Sequence, residues 1–203
     1  MASKQQEAIR YISENYLQFN RIRHDVVSDK LQIRLLGEEG KGERQEYWRE
    51  MTKHDINSIV CQCAQECDSN ITSREVMTVL QSDLVPSVHP LREYIQSCRT
   101  WTKEQPDWID LVARQVKVKP SGEEAKGDKA RGEELWRACF KKWFVAMVAS
   151  WMKDEVVNHT VLVLVGRQGI FKTTWLDNLI PPELRAYSSK LPLSGQISKD
   201  DRL

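Results

Sequence analysis

The pattern of apolar and polar positions in the first 116 residues predicts mostly helix. Ile9, Ile12, Tyr16 and Leu17 recur near helical spacing within Gln5–Leu17, as expected for one face of an amphipathic helix. From Tyr47 to about Val116 the apolar positions again follow a helical period. The helices expected there are Ile56–Cys67, one that begins after the capping signal Thr72-Ser73-Arg74-Glu75, Leu91–Cys98 and Trp108–Val116.

A different pattern, which includes alternation, is found between Ile22 and Leu36. Val26-Val27 precedes the polar run Ser28-Asp29-Lys30, after which Leu31, Ile33 and Leu35 alternate with polar residues. Alternation beside a short polar turn predicts a β-hairpin, and the glycine-rich segment 37–44 is expected to be a loop or hairpin tip. Residues 1–116 are therefore predicted to form a mostly helical accessory domain with a small hairpin.

Residues 117–132 are expected to be a charged linker or insertion, because they carry charges of both signs and no large apolar residue after Val118. A long helix, about Glu133–Lys153, is predicted to follow. Its apolar stripe consists of Trp136, Phe140, Trp143, Phe144, Met147, Val148 and Trp151. The spacing is typical of a face that packs into a core; a base-stacking platform is the alternative.

The residues that carry chemistry lie in the third predicted segment, 133–203. The apolar run Val161–Val165 is typical of a strand buried on both faces of a parallel sheet. It is followed by a glycine-containing loop, a Lys-Thr pair and an apolar helical segment that stops at Pro181-Pro182. Strand, loop and helix in this order are the setting of a phosphate-binding P-loop. The fold class is thus predicted as α+β, with a helical N-terminal domain and the incomplete start of an α/β P-loop NTPase domain.

The P-loop hypothesis assigns a role to each position of the loop. A helix N-terminus offers unpaired backbone N–H groups to phosphate, and glycine lets the backbone come close. Lys172 is predicted to act on the β- and γ-phosphates as the catalytic cation, and the Thr173 hydroxyl to hold Mg²⁺. The candidate nucleotide-binding residues are Gly166, Arg167, Gln168, Gly169, Ile170, Phe171, Lys172, Thr173 and Thr174.

Two features depart from a complete P-loop site. Phe171 occupies the position of the second consensus glycine, so its ring has to turn away from the phosphates. Hydrolysis also needs a carboxylate at the end of a second strand. The acids after Thr174 are Asp177, Glu183, Asp200 and Asp201, and none of them follows an apolar strand.

The segments LVLVGRQGIFKTTWLDNLIPPEL and AYSSKLPLSGQISKDDRL resemble the virulence-associated E family, especially its members from Bacteroidetes. A weaker likeness runs upstream through NRIRHDVVSDKLQIR and VPSVHPLREYIQSCRTWT. The resemblance implies an ATP- and Mg²⁺-dependent P-loop ATPase, similar to phage and plasmid primase–helicases. It implies DNA as a partner of the full-length protein, a homo-oligomer such as a hexamer, and a role in mobile-element replication. It also implies that the second acidic motif lies beyond Leu203, so that the chain is expected to be truncated and not competent for hydrolysis by itself.

Two alternatives stay open on the residues alone. One is a non-catalytic DNA-binding or interaction module with a degenerate P-loop. The other is a small-molecule phosphotransferase, since many kinases share this loop. The net charge of +1 predicts no global attraction to nucleic acid, although Arg21, Arg23, Lys30 and Arg34 near the hairpin are a candidate local patch.

The remaining composition narrows the setting of the protein. The polar N-terminus is unlike a signal peptide, and the apolar segment around Phe144–Val148 is too short to cross a bilayer. A cytoplasmic protein without membrane contact is therefore expected, and its five cysteines are expected to be reduced thiols. Cys61, Cys63 and Cys67 fall in a helical pattern, where only Cys63 and Cys67 share a face, so they are interpreted as packing residues and not as a zinc site.

Overall fold

The computed structural model describes residues 3–36, 46–67, 70–119 and 129–189. The chain forms two compact units, Met1–Pro90 and Leu91–Leu203. The mixed α+β class predicted from the sequence is confirmed. The proposed linker 117–132 stays a prediction, since residues 120–128 lie outside the described residues.

The first unit begins with helix α1, Lys4–Ile12, which continues as a π-helical turn over Ser13–Leu17. Two further helices follow the sheet strands, α2 at Lys53–Glu66 and α3 at Ser73–Leu80. Each of the three helices starts in a capping box, with Ser3, Thr52 or Thr72 as the capping residue. Each box satisfies backbone N–H groups that the first helical turn leaves unpaired. The predicted capping signal at Thr72 is thereby confirmed.

A four-stranded mixed sheet in the order β3-β2-β1-β4 replaces the simple hairpin that the sequence predicts. The strands are β1 at Ile22–Asp25, β2 at Lys30–Leu36, β3 at Glu46–Glu50 and β4 at Ser87–Val88. β1 and β2 form the expected antiparallel hairpin, with Ile22 opposite Ile33. β3 pairs antiparallel with β2, and β4 runs parallel to β1.

The expectation of helix from Tyr47 onward is wrong for the first residues of that range. Residues 46–50 form strand β3 because β2 offers them a backbone edge, and such pairing between distant segments leaves no local periodicity in the sequence. The sequence also misplaces Val26 and Val27, which lie in the turn. The buried Asp25 carboxylate accepts hydrogen bonds from the backbone N–H of Val27 and of Ser28, at 2.9 and 3.3 Å, and folds the chain there.

The core of the first unit lies between one face of the sheet and the helices. Its fully buried members include Ile12, Ile22, Ile59, Val76 and Leu80. They come from β1 and from all three helices, so these elements share one apolar cluster. Burial of this kind is the main source of stability in a small domain.

The second unit is helical in its described part. It contains α4 at Pro90–Ser97, α5 at Trp108–Ala113, α6 at Lys129–Met152, α7 at Lys172–Asn178 and a 3₁₀ helix at Pro182–Tyr187. None of the helices in the described ranges combines the length and apolarity that crossing a membrane requires.

The aromatic stripe of α6 packs internally, as its spacing predicts. Phe140 is fully buried, and its ring centroid lies 5.5 Å from that of Trp136 and 5.8 Å from that of Trp143. Trp136 also donates a hydrogen bond from Nε1 to the carbonyl of Ala113 at 2.9 Å, which ties α6 to the end of α5. These contacts confirm the packing interpretation of the stripe for Phe140 and its neighbours.

Candidate functional site

The loop between Gly166 and Phe171 folds around the side chain of Lys172. The Lys172 ammonium donates hydrogen bonds to the carbonyl oxygens of Gly166 and Arg167, at 2.9 and 2.7 Å. Lysine is a compact cation with three donors, and here it closes a ring with the loop that precedes its own helix. The Lys172 ammonium is therefore held against the loop that precedes α7.

The N-terminus of α7 has no side-chain cap. The first backbone hydrogen bond of the helix runs from the N–H of Trp175 to the carbonyl of Phe171, at 2.9 Å. The N–H groups of Lys172, Thr173 and Thr174 precede that bond and belong to the set that a helix start leaves without an intrahelical partner. Uncapped N–H groups beside a lysine ammonium are suited to an anion.

Two loop residues adopt a left-handed backbone. Gly169 has φ +83°, a conformation that glycine adopts without steric cost. Phe171 has φ 57° and ψ 25°, although a residue with a Cβ loses about 1–2 kcal/mol there. This is the position at which P-loops have their second glycine, and the backbone geometry gives the physical reason for that preference. The Phe171 side chain is 77 % exposed and turns into solvent.

The other predicted site residues lie near the contact of Lys172 with Gly166 and Arg167, and most of them are exposed. Arg167, Gln168, Ile170, Thr173 and Thr174 are exposed, whereas Lys172 is half-buried. At Gly166, an added Cβ would lie 2.8 Å from Cδ1 of Ile170, so the loop crosses over itself closely there. The structure thus brings Gly166, Arg167 and Lys172 into direct contact and leaves the Thr173 hydroxyl accessible at the helix start.

The strand predicted before the loop is not formed, which corrects the expectation of a buried parallel strand. Val161, Val163 and Val165 are largely exposed, and Val163 is 70 % exposed, while Leu162 and Leu164 are half-buried. A strand exists only when its backbone N–H and C=O groups pair with a neighbouring strand. Within the described ranges, no strand pairs with residues 161–165. The start of a P-loop sheet is therefore not observed.

Helix α7 is held in place by the aromatic side of α6. The Trp175 ring lies 5.6 Å from that of Phe140 and 6.4 Å from that of Trp136, measured between centroids. Its Nε1 donates to Oε1 of Gln115 at 3.1 Å. A cavity of about 480 Å³ opens beside these rings, with Trp108 and Leu179 also in its wall. Nothing in the sequence indicates that Gln115 supports α7. Helical spacing could have predicted that Trp175, three residues after Lys172, lies on the face of α7 that packs against α6.

Metal-binding groups are sparse around the loop. Neither Lys172 nor Thr173 has a carboxylate partner among the described residues. Asp177 lies within α7 and Glu183 in the 3₁₀ helix, whereas Asp200 and Asp201 lie outside the described residues. Throughout the part of the chain that the structure describes, no group of three His, Cys, Asp or Glu side chains could hold a metal ion.

The basic residues of the hairpin are engaged in contacts within the first unit. Lys30 pairs with Glu50 and Arg34 with Glu46, each at 2.8 Å. The Arg23 guanidinium lies 4.0 Å from the centre of the Trp48 ring. Carboxylates therefore balance Lys30 and Arg34, whereas Arg21 and Arg23 lie against aromatic rings.

Comparison with known proteins identifies the segment that contains the loop. Residues 128–201 match the family model of the virulence-associated protein E-like domain. The match covers the segment with the loop and confirms the resemblance seen in the sequence. No curated protein and no solved structure matches the chain significantly.

Proposed function

We propose that this protein binds ATP together with Mg²⁺ at residues 166–174, as the nucleotide-binding part of a primase–helicase-like P-loop ATPase. In the full-length protein the bound ATP would drive work on DNA during replication of a mobile element. The observation that carries the proposal is the Lys172 ammonium, held against the carbonyls of Gly166 and Arg167 at the uncapped start of α7.

The chemistry of the loop fits a triphosphate. Phosphate oxygens would replace the two carbonyl oxygens as partners of the Lys172 ammonium, and the first N–H groups of α7 would bind the same anion. The accessible Thr173 hydroxyl would supply one oxygen ligand to Mg²⁺, which usually keeps several waters and bridges the phosphates. The ion would neutralise charge on the phosphate oxygens.

Binding and hydrolysis are separate parts of the proposal. The described residues supply the cation and the anion-binding backbone, but they place no carboxylate beside Thr173. Hydrolysis would require such a carboxylate in addition, and assembly into a homo-oligomer such as a hexamer is part of the proposed motor function. The family match over residues 128–201 supports the motor class over a small-molecule phosphotransferase.

A second candidate function is supported by Phe171. A left-handed phenylalanine at the glycine position is a feature of a loop that has departed from nucleotide binding. Under this alternative the protein is a non-catalytic DNA-binding or interaction module with a degenerate P-loop. The two functions differ in whether the natural chain binds nucleotide at all.

The test is a calorimetric titration of Mg-ATP into the purified chain and into Lys172→Ala. Removing one charge-assisted contact should weaken binding by about 10- to 100-fold. The matched control is Lys142→Ala, an exposed lysine of α6, which should bind like the natural chain. Thr173→Ala should lose the dependence of affinity on Mg²⁺.

Two results would contradict the proposal. A folded natural chain that binds no Mg-ATP would favour the degenerate module, and equal weakening by Lys172→Ala and Lys142→Ala would place the nucleotide elsewhere. If the natural chain does bind Mg-ATP through Lys172, a chain extended beyond Leu203 should hydrolyse ATP faster with single-stranded DNA. Phosphate transfer to a metabolite without any effect of DNA would instead support the phosphotransferase.

A further inference from the structure

Two thiols of the first unit are in contact at the end of α2. The Sγ atoms of Cys63 and Cys67 lie 3.7 Å apart, and the N–H of Cys67 donates to the carbonyl of Cys63 at 2.9 Å. The helix ends at Glu66, and Cys67 has an extended backbone with φ −104° and ψ 148°. The hydrogen bond therefore keeps the two residues one turn apart, while Cys67 has already left the helix. The expectation that these two cysteines share a face is confirmed.

This arrangement is close to that of a disulfide. A helical turn places the Cα atoms of residues four apart about 6 Å from each other, within the range that disulfides span. The sulfurs would have to approach by about 1.7 Å to reach the length of an S–S bond. Because Cys67 lies beyond the last helical residue, it can move toward Cys63 without unwinding the turns that contribute Ile59 to the core.

The two thiols differ in their surroundings. Cys63 is fully buried in the apolar cluster of the first unit, whereas Cys67 is half-buried. Burial, and next the hydrogen bond with Cys67, raises the pKa of the Cys63 thiol well above its usual range. Thiolates are the reactive form of cysteine, so the more accessible Cys67 is the sulfur that an oxidant meets first.

We propose that Cys63 and Cys67 form a dithiol modification site, which hydrogen peroxide converts into an intramolecular disulfide and thiol reductants reopen. In the first step the Cys67 sulfur attacks the peroxide O–O bond, giving a sulfenic acid and one water molecule. In the second step the Cys63 sulfur displaces the sulfenic oxygen, which leaves as a second water molecule. The two sulfurs are oxidised together by two electrons, and the peroxide is reduced to water.

The other cysteines provide internal comparisons. Cys61, Cys98 and Cys139 are exposed, and within the described ranges none of them contacts another sulfur. Cys61 is the most informative, because it lies in the same helix, two residues before Cys63. Residues two apart on a helix point in different directions, so Cys61 is near Cys63 in sequence but is not its partner.

The experiment uses two variants of the 203-residue chain that each keep two cysteines. The first keeps Cys63 and Cys67, through Cys61→Ser, Cys98→Ser and Cys139→Ser. The matched control keeps Cys61 and Cys63, through Cys67→Ser, Cys98→Ser and Cys139→Ser. Each is treated with hydrogen peroxide, alkylated in denaturant and weighed by mass spectrometry. The first should lose both free thiols, stay monomeric, weigh two hydrogens less, and recover both thiols in dithiothreitol. The control should keep its buried thiol.

Phenylarsine oxide gives a second readout that involves no oxidation. The arsenic atom bridges two neighbouring thiols with release of one water molecule, so it should bind the first variant with one-to-one stoichiometry and not the control. A first variant that is folded by circular dichroism, but ends as a sulfinic acid, an intermolecular dimer or unreacted thiols, overturns the proposal.

The natural chain covers the case in which a serine variant does not fold. Cys61, Cys63 and Cys67 lie in a single tryptic peptide, residues 54–74, and differential alkylation followed by fragmentation locates the bond. A Cys63–Cys67 link supports the proposal. A link that includes Cys61, or no link in that peptide after peroxide has consumed the exposed thiols, contradicts it.

Discussion

The β1–β2 hairpin of the first unit and the segment 161–165 of the second are both predicted to be β-structure, but only the hairpin forms. β1 and β2 pair with each other and with two further strands, so their backbone groups are satisfied within residues 22–88. Residues 161–165 alternate Val and Leu, yet they pair with no strand in the described ranges and expose their valines. Strand propensity therefore does not make a strand unless an edge is available to pair with it.

The loop 166–171 has local features, which nearby residues form, but a complete P-loop site also needs a sheet of distant strands. The contact of Lys172 with Gly166, the left-handed Gly169 and the uncapped start of α7 lie within residues 166–175, which α6 and Gln115 support through Trp175. The sheet that would normally support a P-loop depends on distant strands. Phosphate binding can thus be tested in this chain, whereas hydrolysis depends on groups that the described residues do not supply.

The largest expected effect comes from the same substitution made in both regions. Val76→Ala removes two buried methyl groups from the core of the first unit and should lower the free energy of unfolding by about 2.5 kcal/mol. Val163→Ala, at a side chain that is 70 % exposed, should change it by less than about 0.5 kcal/mol. Urea denaturation followed by circular dichroism measures both. Equal losses would mean that residues 161–165 are packed, contrary to this structure.

A smaller effect is expected at the start of α2. The Asp55 carboxylate accepts two hydrogen bonds from the Arg49 guanidinium at 2.7 Å and also binds the N–H of Thr52. The bond from Arg49, together with those from Thr52, holds the pKa of Asp55 well below its usual range despite partial burial. Asp55→Asn should lower the free energy of unfolding by about 1.5 kcal/mol at neutral pH.

The pH dependence of this effect follows from the direction of the shift. A carboxylate whose pKa is lower in the folded state stabilises the fold above its unfolded pKa, near 4, and this contribution is lost as the pH falls through the folded pKa. The difference between the natural chain and Asp55→Asn should therefore shrink progressively below about pH 5. Asp83→Asn, at an exposed aspartate of the same unit, is the control variant. A difference that grows on acidification would exclude the Arg49 contact as its cause.

The smallest effect concerns the backbone of Phe171. Phe171→Gly and Phe171→Ala both remove the exposed ring, but only glycine relieves the left-handed conformation. The glycine variant should be the more stable of the two by about 1 kcal/mol, as measured by thermal unfolding of the second unit. It should also bind Mg-ATP at least as tightly as the natural chain. An alanine variant that is the more stable would show that the residue does not hold φ 57° in solution.

Features encoded locally could be predicted from the sequence, and features that depend on distant pairing could not. Residues close to one another in sequence determine the Thr72 cap, the β1–β2 hairpin and the apolar stripe of α6. β3 and β4 form because β2 and β1 offer backbone groups to pair with. The helical period of the apolar positions after Tyr47 led to the wrong prediction for β3. In the site, the loop was predictable because its residues are consecutive. The hydrogen bond from Trp175 of α7 to Gln115 could not be predicted, because its partners are 60 positions apart and neither stands out in its local sequence pattern.

The most direct test of the central claim is amide hydrogen exchange, measured with and without saturating Mg-ATP. Without nucleotide, the amides of residues 161–165 should exchange rapidly, and those of β1 and β2 slowly, because only the latter are paired. With nucleotide, protection should appear at Gly169 to Thr174, where N–H groups would bind phosphate, and should be absent from Lys172→Ala. Protection that appears elsewhere, or not at all while ATP binding is saturated, would contradict a phosphate-binding loop at this position.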